Sequence, residues 1–158
     1  MSKWLKGISA FHRLDHADDP DSLVLGEPSS GNAIAELEKL IGFAMPEEFK
    51  RFYCEHDGFG TIRGGQIDWF FLPLAKIPHH AIEVRAWFEA THPNIARQFV
   101  PFIDWGNGDA SGYLLSDAGD PDAAIFHFEH ESYEFEKSQD WHDFLLPFSS
   151  SVLAFFPE

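Results

Sequence analysis

The sequence predicts a single α+β domain whose mainly antiparallel sheet is flanked by helices. The chain has 158 residues, the size of one ordinary domain, and 44% of them are apolar, so a substantial core can form. Helical periodicity comes early in the chain, short strand patterns follow, and no repeat or linker separates two units. We expect an N-terminal extension over residues 1–31, with a short helix or strand of its own, and the domain proper over residues 32–158.

Two amphipathic helices are predicted in the first half of the chain. Between Ile34 and Ile41 apolar residues recur at helical spacing, and Gly42 follows at a position where helices commonly end. Pro46 opens a second helix, whose acidic first turn suits the helix dipole. An apolar stripe begins at Phe49 and continues through this second helix.

Strand patterns dominate the second half. Ile67–Leu74 is rich in aromatic and aliphatic residues, and a third helix starts at Pro78. Three further strands are predicted over Phe99–Ile103, Gly112–Leu115 and Ala124–His130.

The end of the chain is predicted to hold a hairpin and a closing helix. Tyr133 and Phe135 continue the alternation of the preceding strand, which suggests the hairpin. Ser138 caps the predicted last helix. A regular strand over Ala124–His130 would place His127 and His130 on opposite faces of the sheet.

Composition excludes several classes of function. The 26 acidic and 11 basic side chains give a formal net charge of −15, so nucleic acids and anionic membranes, which are recognised through Lys and Arg, are not expected partners. Cys54 is the only cysteine, so no intramolecular disulfide can form and a reducing compartment is expected. The N-terminus lacks the apolar run and cleavage site of a signal peptide. A cytoplasmic location is therefore expected.

Several motifs resemble those of the SUKH superfamily, which includes fungal cell-wall assembly regulators and bacterial immunity proteins of polymorphic toxin systems. The segment Ile34–Gly60 is similar to the opening of that family, with a helix that ends in glycine, a Met-Pro step and an Asp-Gly stop. Phe99–Asp117 resembles its central hairpin, although Gly112 stands where the family tends to carry an aromatic or polar residue. The resemblance spans Ile34–Leu146. It implies an α+β fold and a protein-binding role without catalysis.

No arrangement of reactive residues predicts catalysis, a cofactor or a metal site. His12 and His16 are four residues apart and could form half of a zinc site, but no third ligand is indicated. The acidic run over residues 117–122 fails the spacing of a calcium-binding EF-hand. Cys54 falls in the second helix beside the aromatic stripe, where we expect a buried structural thiol. We therefore expect no enzyme, no cofactor and no bound metal.

Acidic charge is concentrated in the last third of the chain. From Asp104 to Glu158 there are 12 acidic residues and one basic residue. This bias is explained either by a solvated face or by a surface that attracts a cationic partner. The predicted partner-binding residues lie in two loops that flank one strand: Asp104, Trp105, Asp109, Asp117, Asp120 and Asp122. If the two loops meet at one end of the sheet, they form a single negative pocket.

Trp105 has two interpretations, which the sequence leaves open. It is either an exposed anchor for a partner or a ring that folds back to cover the sheet edge.

These features favour a non-enzymatic binding protein. The favoured hypothesis is an immunity protein whose acidic surface occludes the active site of a cognate toxin with a basic surface, for example a nuclease. The alternative is a regulatory or scaffold module of the same fold that binds a housekeeping protein.

Overall fold

The computed structural model describes residues 1–158 and contains six α-helices and seven β-strands. The helices are α1 (Lys3–His16), α2 (Gly31–Ile41), α3 (Glu47–Glu55), α4 (Ile77–Phe88), α5 (Pro93–Gln98) and α6 (Val152–Phe155). The strands are β1 (Leu23–Leu25), β2 (Phe59–Arg63), β3 (Gln66–Phe71), β4 (Phe99–Asp104), β5 (Ala110–Leu114), β6 (Ile125–Phe128) and β7 (Leu145–Ser149).

All seven strands form one sheet in sequence order, and every neighbouring pair is antiparallel. The register carries across the last four strands. Asp104 lies opposite Ala110, Ala110 opposite Phe128, and Phe128 opposite Leu145. The predicted α+β domain with a mainly antiparallel sheet is confirmed.

Helices cover both faces of the sheet because side chains alternate along each strand. Tyr113 and Ile125 belong to the larger buried cluster, to which α1, α2, α3 and α6 also contribute. Phe99 and Phe128 belong to a second cluster with residues of α4 and α5. The sheet therefore lies between two apolar layers.

The expected N-terminal extension, residues 1–31, joins this architecture directly. Trp4 and Ile8 of α1 are buried in the larger cluster. Leu23–Leu25 forms β1, which pairs with β2 at one edge of the sheet. The first 31 residues thus supply both a helix and a strand to the common core.

The two predicted helices of the first half are confirmed as α2 and α3. The Ser30 hydroxyl accepts a hydrogen bond from the Ala33 amide, and Gly42 ends α2 in the left-handed region at φ 81°. The expected burial of Cys54 is wrong, because α3 buries Phe49, Phe52 and Tyr53 and leaves the thiol on its solvent face.

The predictions for the end of the chain are wrong in two places. Tyr133 and Phe135 form no hairpin, since β6 ends at Phe128 and a 3₁₀ turn follows at His130–Ser132. The predicted closing helix is a 3₁₀ turn over Trp141–Asp143 followed by strand β7.

Candidate functional site

The predicted partner-binding residues divide between opposite ends of β5. Asp104 lies opposite Ala110 at the start of β5, whereas Leu114, at its end, lies opposite Phe99. The β4–β5 turn and the β5–β6 loop are therefore separated by the length of the strand, roughly 15 Å. The predicted single negative pocket does not form, because the two loops that flank one strand of an antiparallel meander lie at opposite ends of the sheet.

The carboxylates of the β5–β6 loop are largely engaged within the chain. Asp117 pairs with Arg97 at 2.9 Å, and both side chains are exposed. Asp120 accepts hydrogen bonds from the Ser116 amide at 2.6 Å and from its hydroxyl. Asp122 is exposed and makes no side-chain hydrogen bond.

Trp105 folds back onto the sheet and remains half-buried. Its indole N–H donates to the Ser111 hydroxyl at 2.9 Å. Its ring packs edge-on against Phe70, with centroids 4.8 Å apart, and also contacts Phe148 and Phe155. The structure supports the second interpretation of this residue, in which the ring covers the sheet edge.

Asp109 is the centre of a polar network that holds the β4–β5 turn. One carboxylate oxygen accepts from the His130 ring Nδ1 at 2.5 Å and from the His130 amide at 3.1 Å. The other lies 3.2 Å from His127 Nε2. His127 and His130 thus meet at one carboxylate, and their expected separation on opposite faces is wrong, because His130 lies beyond the end of β6.

The hydrogen-bond partners fix the tautomer of His127. The Asp109 carboxylate only accepts hydrogen bonds, so the N–H of His127 is at Nε2 and is donated to Asp109. Nδ1 of the neutral ring then accepts the Ser111 hydroxyl proton at 2.7 Å, and the Ser111 oxygen accepts the Trp105 indole N–H. Burial alone would raise the pKa of Asp109, but the hydrogen bonds from His130 and His127 lower the pKa below its ordinary value of 3.8.

Ser111, His127 and Asp109 contain the residue types of a hydrolase triad but not its accessibility. The Ser111 side chain has no solvent exposure, and its oxygen is occupied by the Trp105 indole. A triad requires a hydroxyl that can reach a substrate carbonyl. These three residues therefore connect β5, β6 and the β4–β5 turn, and they present no nucleophile to a substrate.

A cleft of about 650 Å³ opens beside the β4–β5 turn. Its apolar lining includes Phe11 of α1, Phe59 and Phe70 of the β2–β3 hairpin, and Trp105. Charged groups of both signs and two histidines also line it: His12, Asp15, His16, Arg63, Asp68, Lys76 and Asp104. Two of the six predicted site residues, Asp104 and Trp105, thus line the cleft.

The cleft arises because β3 and β4 are staggered. The two strands pair only at Phe71 and Ile103. The outer part of β3, from Gln66 to Phe70, therefore extends past the β4–β5 turn without a strand beside it on that side. A cleft with a strand edge and partly exposed aromatic side chains is suited to binding a protein segment.

Neither α1 nor the β2–β3 hairpin was predicted to be part of the site. The hairpin could have been predicted, because Gly64-Gly65 separates two isoleucines, and Ile62 lies opposite Ile67 in the ladder. Both isoleucines are exposed. The position of α1 over the hairpin has no local signal in the sequence.

The histidines and acidic residues do not assemble into a metal centre, since no group of three or more His, Cys, Asp or Glu residues is placed to hold an ion. His12 is buried and hydrogen-bonded to Ser22, and its ring stacks on His16. Burial lowers the pKa of His12. None of the helices has the length and apolar composition needed to cross a bilayer.

Fold and cleft together define a single-domain α+β protein with a seven-stranded meander and an aromatic cleft of about 650 Å³. The model of the SMI1 / KNR4 family (SUKH-1) matches residues 28–146, about three quarters of the chain. The protein belongs to this family, and the resemblance predicted over Ile34–Leu146 is confirmed. No match to a curated protein reaches significance.

Proposed function

We propose that this protein is a cytoplasmic immunity protein that binds a cognate toxin and occludes its active site. Members of the family are generally non-catalytic immunity or regulatory domains. The observation that carries the proposal is the cleft beside the β4–β5 turn, which offers half-exposed aromatic side chains on a family fold. Aromatic residues in partly enclosed positions contribute most of the binding energy at protein interfaces.

The division of the aspartates assigns them different roles in this proposal. Asp104 and Trp105 line the cleft and contact the partner. Asp109 is a positioning residue, because its carboxylate accepts hydrogen bonds from His127 and His130. Asp117, Asp120 and Asp122 lie at the other end of the sheet and contribute only to the overall negative potential of the protein.

The net charge of −15 supports a partner with a basic surface, such as a nuclease whose active site must bind phosphate. Charges of one sign accelerate the encounter with an oppositely charged partner, and salt screens that attraction. We expect the association rate constant to fall steeply between 50 and 500 mM salt, on the order of tenfold or more, with little change in the dissociation rate constant. Stopped-flow mixing measures both, and an association rate constant independent of salt would exclude electrostatic steering.

The deciding experiment is capture of partners with tagged protein from its native cells, followed by rescue of cells that express the captured toxin. The wild-type protein is expected to restore growth. Recovery of a housekeeping protein with no toxin, and no rescue, would favour the regulatory or scaffold alternative.

Two exposed isoleucines provide a matched pair of variants for the rescue assay. Ile67→Glu places a charge in the cleft lining and should weaken binding by about tenfold or more. Ile82→Glu makes the same change on α4, at a side chain that is 65% exposed and outside the cleft lining, and should leave binding unchanged. Equal effects of the two substitutions would contradict the assignment of the cleft as the binding site.

A further inference from the structure

Two large aromatic side chains are exposed together on the surface beyond the Asp109 network. Trp87 on α4 is 40% exposed and Phe135 is 62% exposed, and their ring centroids lie 6.2 Å apart. Phe135 also packs on the buried Tyr133, and Trp87 packs on His130. We call Trp87 and Phe135 the aromatic platform.

The segment that carries Phe135 is fastened on both sides. The Tyr133 hydroxyl is 2.5 Å from the Thr91 hydroxyl. The Gln139 side chain accepts from the Glu134 amide and donates to the Ser132 carbonyl. These bonds hold Phe135 at φ 61°, a left-handed conformation that bulky residues rarely adopt. The backbone that carries the exposed ring is therefore held in place.

Carboxylates surround the platform along the chain. Glu134 and Glu136 flank Phe135 in the sequence, and Glu83, one helical turn before Trp87 on α4, pairs with His79 at 2.9 Å. Six acidic residues lie between Glu129 and Asp143, and Lys137 is the only Lys or Arg there. Exposed aromatic rings in an acid-rich segment suit a guanidinium, which stacks on rings and pairs with carboxylates in a fork geometry.

We infer that the aromatic platform binds an arginine side chain presented by a basic segment of the protein partner. This inference rests on the proposed function. The platform lies at the same end of the sheet as the β4–β5 turn, because His130 packs on Trp87 and is hydrogen-bonded to Asp109. A partner that covers this end of the sheet can therefore reach both the turn and the platform. A second copy of this chain does not suit the platform, since its own net charge is −15.

A titration of the whole chain with a short peptide tests the inference. The probe is acetyl-Gly-Arg-Gly-Arg-Gly-amide, and the control peptide carries Gln in place of both arginines. The indole N–H signals of the five tryptophans, followed by NMR, report where the peptide binds. The Trp87 signal should shift with the arginine peptide alone, and the signal of the buried Trp4 should not move. An unmoved Trp87 signal would overturn the inference.

Matched variants separate the platform from general attraction to an acidic chain. Phe135→Ala should weaken peptide binding by about threefold to tenfold, whereas Phe148→Ala, at a phenylalanine of β7 that is 43% exposed, should not. The double variant Glu134→Gln/Glu136→Gln should weaken binding more than Asp117→Asn/Asp122→Asn, which removes the same charge at the far end of the sheet. Equal weakening by the two double variants would refute a specific site.

The outcomes for the platform and for the immunity function are independent. Failure of the wild-type protein to rescue cells from the captured toxin refutes the proposed function, regardless of the result of the peptide titration. Rescue by the wild-type protein, together with no shift of the Trp87 signal, refutes the arginine site and leaves the proposed function intact.

Discussion

Substituting Asp109 by alanine tests whether its carboxylate holds the β4–β5 turn. The carboxylate accepts three hydrogen bonds, from the ring and amide of His130 and from the ring of His127. The Asp109 side chain is 16% exposed, and those of His127 and His130 are 15% and 23% exposed. Removal of the acceptor leaves three donors that water can reach only in part.

Each unsatisfied buried donor costs about 1–3 kcal/mol, and partial access of water places these three at the low end of that range. We therefore expect Asp109→Ala to lower the free energy of unfolding at pH 7 by about 3 kcal/mol. For a chain of this size that corresponds to a fall of roughly 6–12 °C in melting temperature. Asp122→Ala, which removes an exposed carboxylate without hydrogen bonds, should change stability by less than about 0.5 kcal/mol.

The pH dependence gives the same test a second readout. The pKa of Asp109 is lowered in the folded protein, so its stabilisation is present above the ordinary value of 3.8 and is lost as pH falls through the folded-state pKa. The difference in unfolding free energy between wild type and Asp109→Ala should therefore shrink below about pH 4. Urea unfolding at pH 7 and pH 3 measures it. A loss under about 1 kcal/mol at pH 7, or a difference that is the same at both pH values, would refute the reasoning.

Three further predictions concern other parts of the fold. A Cβ on Gly112 would lie 2.0 Å from the Val100 carbonyl oxygen, so Gly112→Ala should lower the unfolding free energy by about 3 kcal/mol or more, whereas Gly31→Ala, with no atom within 4 Å, should be nearly neutral; urea midpoints compare them. Burial lowers the pKa of His12, so stability should fall as pH drops below 6.5, and His12→Gln should flatten that slope between pH 7.5 and 5.5; an unchanged slope would exclude this contribution. Glu48 accepts from the first amide of α6 at 2.5 Å, so Glu48→Ala should speed cleavage by carboxypeptidase at the C-terminus, and an unchanged rate would contradict a capping role.

Helix α2 was predicted correctly because it has local signals at both ends. Ser30 caps α2 and Gly42 ends it, and both act within a few residues of the helix. Such signals need no knowledge of the rest of the chain.

Strand β7 was missed because its conformation depends on distant residues. Asp140 caps a 3₁₀ turn over Trp141–Asp143, which resembles the start of a helix in sequence. The following residues become a strand because Leu145 pairs with Phe128. Pro147 is tolerated there, since β7 is the last strand and has one free edge.

The sequence located part of the candidate site and could not assemble the whole. Asp104 and Trp105 were predicted from a loop pattern alone, and both line the cleft. Asp109 was predicted as a contact residue, but its proximity to His127 and His130 depends on where β6 ends. The contribution of Phe11 depends on the docking of α1, for which no residue pattern near the hairpin gives a signal.

The stagger between β3 and β4 explains why the candidate site lies at this end of the sheet. A bulge between Pro101 and Ile103 shifts the β4 register against β5, and β3 pairs with β4 only at Phe71. Phe70 and Trp105 occupy the space where a continued ladder would have run, and their rings meet at 4.8 Å. A complete ladder would have covered the outer edge of β3. Partly exposed rings fill the space instead, and that edge stays accessible. The cleft is therefore a direct consequence of ending the β3–β4 ladder after one pair.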